Sequence, residues 1–152
     1  MSDTDRPHPL VLRPGEGVQY EARGSEMSFK AVASSAGGRF SLMERTLPPG
    51  GRMPPAHRHV ACDEAYYVLD GEVTFLLDGS EHLGGKGWWV LVPGGTSHTF
   101  GNRSADPARL LVLHAPPLDR YFADLHDLWH RAEAPTTEQE LDLMRGHGME
   151  PG

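Results

Sequence analysis

His57-Arg58-His59 places two imidazoles at positions i and i+2. On a β-strand such positions project from one face, which is how a sheet offers two ligands to one ion. Glu64 comes five residues after His59. On one unbroken strand that odd offset would put its carboxylate on the opposite face. Val60–Asp63 must therefore turn or bulge, so that Glu64 opens the next strand facing the same interior. His98 follows Pro93-Gly94-Gly95-Thr96, a turn that can bring a fourth donor in from elsewhere. Three imidazoles and one carboxylate suit Fe, Mn, Ni, Cu or Zn, whereas Ca takes oxygen donors.

The other histidines carry no such spacing. His8, His82, His126, His130 and His147 read as surface residues, and His114 is a candidate pocket residue. Cys62, the single cysteine, reads as a small buried side chain rather than a ligand.

These donors need a rigid frame, and the chain between them reads as short strands and turns. Val18–Tyr20, Met27–Ala33, Arg39–Leu47, Glu64–Leu69, Val73–Leu77, Trp88–Val92, Ser97–Phe100 and Arg109–His114 are the strand candidates. Asp70-Gly71 is a hairpin signal between two of them, and Asp78-Gly79 closes the second. Strands at this spacing predict an all-β sandwich or barrel. Leu118, Tyr121, Phe122, Leu125, Leu128 and Trp129 then fall on one face of an α-helix. Thr137-Glu138-Gln139-Glu140 offers a capping-box start for a second helix, and Gly146 a stop. The expected organisation is a lead-in at 1–24, a β-barrel at 25–117 and a helical tail at 118–152 packed on the barrel. The tail carries 8 acidic and 3 basic residues. Its apolar stripe is expected to pack inward and its charged face to be solvated.

Composition closes off several functions. The 152 residues carry 18 glycines, 13 prolines and a formal net charge of −7. An acidic chain with no basic run is a poor nucleic-acid binder. No apolar stretch reaches the ~18 residues of a membrane span. Met1-Ser2-Asp3-Thr4-Asp5 is acidic and polar, so no signal peptide is expected, and a single cysteine fits a reducing cytoplasm.

Taken together, Gly51-x5-His57-x-His59-x4-Glu64-x6-Gly71 and Gly87-x5-Pro93-x-Gly95-x2-His98-x3-Asn102 match the two cupin motifs at every defined position. The chain thus resembles the cupin superfamily from about Arg39 to Pro116 and, in layout, single-domain bacterial cupins of the quercetin-dioxygenase-like type. Trp88 stands where many cupins carry an acidic residue. The resemblance implies a double-stranded β-helix, or jelly roll. It implies one divalent transition metal, with Fe, Mn or Ni favoured and Cu or Zn possible. It assigns His57, His59, Glu64 and His98 as ligands. It also implies a homodimer, formed through sheet edges or a swapped N-terminal strand within residues 17–33.

An open position on such a metal can bind O₂ or a chelating enolate. The preferred reading is a metal-dependent dioxygenase acting on a small enol, phenol or polyketide- or flavonol-like aromatic, with Glu64 as ligand and general base. The alternatives are a non-oxidative isomerase, cyclase or lyase using the metal as Lewis acid, and a small-molecule-binding cupin without turnover. Strand parity places Tyr66 and Val68 on the same side as Glu64, and Phe100 on the same side as His98. Tyr66 and Phe100, with Met43 and His114, are the candidate pocket lining, either as walls for a flat ligand or as barrel filler. Arg45 is a candidate for binding a substrate carboxylate, or else a surface or ion-paired residue. Trp88 and Trp89 cannot both face inward. A nucleotide-sugar epimerase is disfavoured, because no Arg/Lys cluster lies near the motifs in the sequence.

Overall fold

A computed structural model describes residues 7–152, so the acidic start at Met1–Asp5 lies outside the described residues. The strands are β1 (Val18–Ala22), β2 (Ser25–Ala31), β3 (Ser41–Leu47), β4 (His57–His59), β5 (Asp63–Asp70), β6 (Val73–Leu77), β7 (Ser80–Gly84), β8 (Trp89–Val92), β9 (His98–Gly101), β10 (Ala108–Ala115) and β11 (Met149–Pro151). Between the last two lie helices α1 (Asp119–Trp129) and α2 (Thr137–Arg145). The strands form two antiparallel sheets, ordered β1-β2-β3-β10-β5-β8 and β11-β4-β9-β6-β7. This is the jelly-roll double-stranded β-helix, with a helical C-terminal segment.

Alternation along the strands builds the interior. In β3, Ser41, Met43, Arg45 and Leu47 are buried while the residues between them are half-buried. In β5, Glu64, Tyr66 and Val68 are buried and Tyr67 is exposed, as parity requires. Phe29, Met43, Tyr66, Phe75, Leu110 and Val112 form the barrel core. The Tyr66 ring packs on Phe75 and Phe100, with centroids 5.2 and 5.0 Å away.

Three local expectations are corrected. Asp70-Gly71 does not make a hairpin, because β5 and β6 belong to different sheets. It is the corner between the sheets, and Gly71 is needed there. Its φ is +75°, and a Cβ would lie 2.5 Å from the Pro107 carbonyl oxygen. The hairpin comes one turn later. Asp78 and Gly79, both at positive φ, join β6 to β7, a strand absent from the sequence reading. Glu81 and His82 in it are exposed, so no apolar alternation marked it. The capping box is Thr136 with Gln139 rather than Thr137 with Glu140. Glu140 instead turns inward, where its carboxylate binds Arg23 and Trp129.

Helix α1 buries Tyr121, Phe122, Leu125 and Leu128. Phe122 reaches Phe29 and His114, with ring centroids 5.7 and 5.5 Å away. The Leu118 amide donates to Ser41 Oγ, and the Ala33 amide donates to Asp119 Oδ1. The chain then returns to the barrel, where β11 pairs with β4. No described helix is long and apolar enough to cross a membrane.

Candidate metal centre

Strand β4 holds His57 and His59 on one buried face, and Arg58 between them is half-buried. Val60–Cys62 then turn, and Glu64 enters β5 facing the same interior. The second motif locks onto the first through the backbone. The Gly95 amide donates to the His59 carbonyl at 2.7 Å, and the Gly94 amide donates to Asp63 Oδ1. Its last residue, Asn102, ties the turn before the first motif. Its carbonyl accepts from the Gly50 amide, and its side-chain amide donates to Leu47 O and Asp106 O. The defined motif positions thus place strands as well as donors.

His57, His59, Glu64 and His98 each bring one donor atom to within 4.8 Å of the others, and all four are buried. The His57 Nδ1–H donates to the Pro55 carbonyl at 2.8 Å, and that of His98 donates to the Thr96 carbonyl at 2.9 Å. These bonds leave Nε2 as the inward-facing nitrogen of each ring, the arrangement a metal-ligating histidine requires. His59 Nε2 and His98 Nε2 lie 2.6 and 3.0 Å from Glu64 Oε2. The donor set therefore fits a divalent transition metal.

The electrostatics favour neutral His57 and ionised Glu64. Burial, with His98 beside it, pushes His57 down to about 3. Burial alone would raise the Glu64 carboxyl, but the charge and hydrogen bond of His114, with the hydrogen bonds of His59 and His98, hold it well below the usual carboxylate range. For His98, burial is outweighed by the Glu64 bond, and its pKa rises.

His114 is the neighbour that sequence spacing did not place. Cross-strand register sets it opposite Glu64, with Nε2 3.3 Å from Oε1. Inward alternation on β10 is the signal that could have located it. A cavity of about 20 Å³ adjoins the cluster, room for about one water. His57, His59, Glu64, His114 and Phe100 line it from the barrel, and Tyr121, Phe122, Met144 and Met149 roof it. Met43 and Tyr66 are fully buried and lie outside this lining. Burial, then the nearby Glu64 carboxylate, holds the Tyr66 phenol well above its usual range.

Arg45 and Arg23 also line the cavity, at 3% and 5% exposure. Arg52 lies 3.5 Å from the Glu140 carboxylate that binds Arg23. Three arginines thus gather beside the motifs, brought together by segments distant in sequence. Trp88 and Trp89 both face outward, at 45% and 61% exposure. His126 is half-buried, with Nδ1 accepting from the Glu21 amide, and half-buried His147 pairs with Asp124. His8, His82 and His130 are exposed. Cys62 is buried, and burial raises its thiol to about 12.

Comparison with known proteins agrees with this architecture. Residues 43–114 match the family model described as Cupin domain. A quercetin 2,3-dioxygenase of Bacillus subtilis is 34% identical over 98 residues, covering 63% of this chain. The chain spans only 28% of that relative's length. Among solved structures, a predicted oxalate decarboxylase from Thermotoga maritima is similar at a TM-score of 0.63 and 23% identity, over 70% of this chain and 99% of the other. The polyketide cyclase RemF from Streptomyces resistomycificus is similar at a TM-score of 0.62 and 22% identity, over 71% of this chain and 80% of that one. These two likenesses concern the fold.

Proposed function

The chain belongs to the cupin superfamily through residues 43–114, and on that premise we propose that it is a metal-dependent dioxygenase acting on a small enol or phenol. The observation that carries this reading is the buried convergence of His57, His59, Glu64 and His98 beside a cavity. The quercetin 2,3-dioxygenase relative supports an oxidative reaction in particular. The four residues would hold one divalent ion, with Fe, Mn or Ni favoured and Cu or Zn possible. When bound, it would supply Lewis acidity and one-electron chemistry toward O₂.

The chain's own residues do the rest. Glu64 Oε2 faces the cluster and Oε1 faces His114, so the carboxylate can take a substrate hydroxyl proton while His114 holds its other oxygen. Phe100 and Phe122 give the cavity apolar walls, and the roof excludes bulk water. With room for about one water, entry of substrate requires Tyr121, Met144 or Met149 to move. The enclosed volume favours the small end of the substrate class over a flavonol.

In the homodimer we propose, the exposed Tyr67, Trp89 and Leu91 on the outer face of β5 and β8 are the apolar surface to cover. The N-terminal hairpin is less available, since α1 packs on β1.

Oxygen uptake by Fe-, Mn- and Ni-loaded protein, across a panel of small enols and catechols, tests the reaction. Consumption of O₂ with stoichiometric loss of one panel member is expected. Turnover of a panel member without O₂ consumption would replace the oxidative reading with the Lewis-acid one.

A further inference from the structure

We infer that the cavity contains a carboxylate-binding subsite built by Arg45 and Arg23, so that the substrate is a small organic acid whose carboxylate lies on the guanidinium groups. This rests on the metal-dependent reading above and deepens it by naming the substrate class.

Arg45 occupies an inward position of β3, between buried Met43 and Leu47. A cation at such a position is costly unless it is paired. Its Nε donates to Ser25 Oγ at 2.7 Å, and its guanidinium lies over the Phe100 and Phe122 rings, 5.1 and 6.0 Å from their centroids. It has no carboxylate within salt-bridge distance among the described residues. Burial, with Arg23 close by, pushes Arg45 down to about 10, so it remains a cation at neutral pH.

Arg23 supplies the second, independent observation. Its Nε donates to Glu140, but its Nη2 is buried with no hydrogen-bond partner. It sits in the β1–β2 turn at a φ of +55°, a conformation that bulky residues seldom adopt. Both arginines line the cavity at the metal cluster. They also line an adjoining void of about 10 Å³, which shares Pro54 and Phe100 with the first. The first cavity alone thus brings the guanidinium pair and the cluster to one space. The two buried cations share this space with two buried carboxylates, Glu64 and Glu140, so little positive charge is left over, and a singly charged carboxylate suits it better than a phosphate dianion. Arg52 adds a third cation, but its side chain is 43% exposed and screened by solvent.

The test uses two probes of one shape on Ni-loaded full-length protein, followed by titration calorimetry. Acetoacetate carries a carboxylate where 2,4-pentanedione carries a methyl ketone. Arg45→Met should weaken acetoacetate by ~10- to 100-fold and leave 2,4-pentanedione unchanged. Formate should compete with acetoacetate on wild-type protein more strongly than inorganic phosphate does, which keeps the test usable if the variant misfolds. An equal effect of Arg45→Met on both probes, no binding of acetoacetate, or stronger competition by phosphate would overturn the subsite. If the protein takes up no Ni but Arg45-dependent acetoacetate binding persists, the metal reading falls and the subsite stands.

Discussion

His57 and His98 face each other as the registered pair joining β4 to β9, with ring centroids 4.5 Å apart. The two cupin motifs meet at this pair, and it joins donors from two distant segments. Each ring is turned inward by a backbone carbonyl two residues before it, Pro55 for His57 and Thr96 for His98. The site is therefore prepared by backbone geometry before any ion arrives.

Chelated protein should stay folded by far-UV circular dichroism, because the barrel core does not involve the donors. It should also be most stable near pH ~6.5. His57 stays neutral in the native state down to about 3, while the unfolded chain takes up that proton, so stability falls as pH drops from ~6.5. Glu64, held below its usual value, adds a further loss below ~4.5. His98, raised by Glu64, contributes fully below ~6.5 and loses that contribution as pH rises through its native value. Urea midpoints across this range check the profile. A midpoint unchanged below ~6.5, or a His57→Ala variant that keeps the slope between ~6.5 and ~4.5, would contradict it.

Glu64→Gln should cost rate more than affinity. Gln keeps the shape but cannot take a proton. At saturating metal, kcat should fall by ~10²- to 10⁴-fold with KM little changed. Steady-state kinetics on the substrate found by oxygen uptake, with metal content measured in parallel, separates loss of the base from loss of the ion.

Glu140→Gln should destabilise the protein by about 3 kcal/mol, because it leaves the buried Arg23 without its charged partner. Both side chains are almost wholly inaccessible, so solvent does not screen the pair. Denaturant unfolding measures the loss, and a change within about 0.5 kcal/mol would place the pair among interactions of no consequence.

Truncation after His147 should loosen the ligand strand. Met149 pairs with His59 and Pro151 with His57, and the Gly148 carbonyl accepts from the Val60 amide. Removing these supports should weaken metal retention by ~10-fold, read by competition with a coloured chelator. Unchanged retention would show that β9 alone holds β4.

The donors and the barrel were legible in the sequence because each rests on a local rule. His-x-His on a strand gives one face, and Glu64 needs the turn that Val60–Cys62 provide. The apolar stripe of α1 was equally plain. Cross-strand neighbours were not legible. Register alone sets His114 opposite Glu64, and it takes the β1–β2 turn, β3 and α2 together to gather Arg23, Arg45 and Glu140. Asp70-Gly71 misled because a turn dipeptide reports a reversal and not which sheet the next strand joins. β11 is too short to show alternation and is fixed by its partner β4.

The buried cluster of His57, His59, Glu64 and His98 is expected to hold one metal ion. Elemental analysis of wild type beside His57→Ala and His98→Ala, each reloaded with Fe, Mn, Ni and Zn, tests it most directly. About one ion per chain in wild type, and none in either folded variant, is the expected result. No uptake by wild type under any loading, or full retention in a variant, would contradict the assignment.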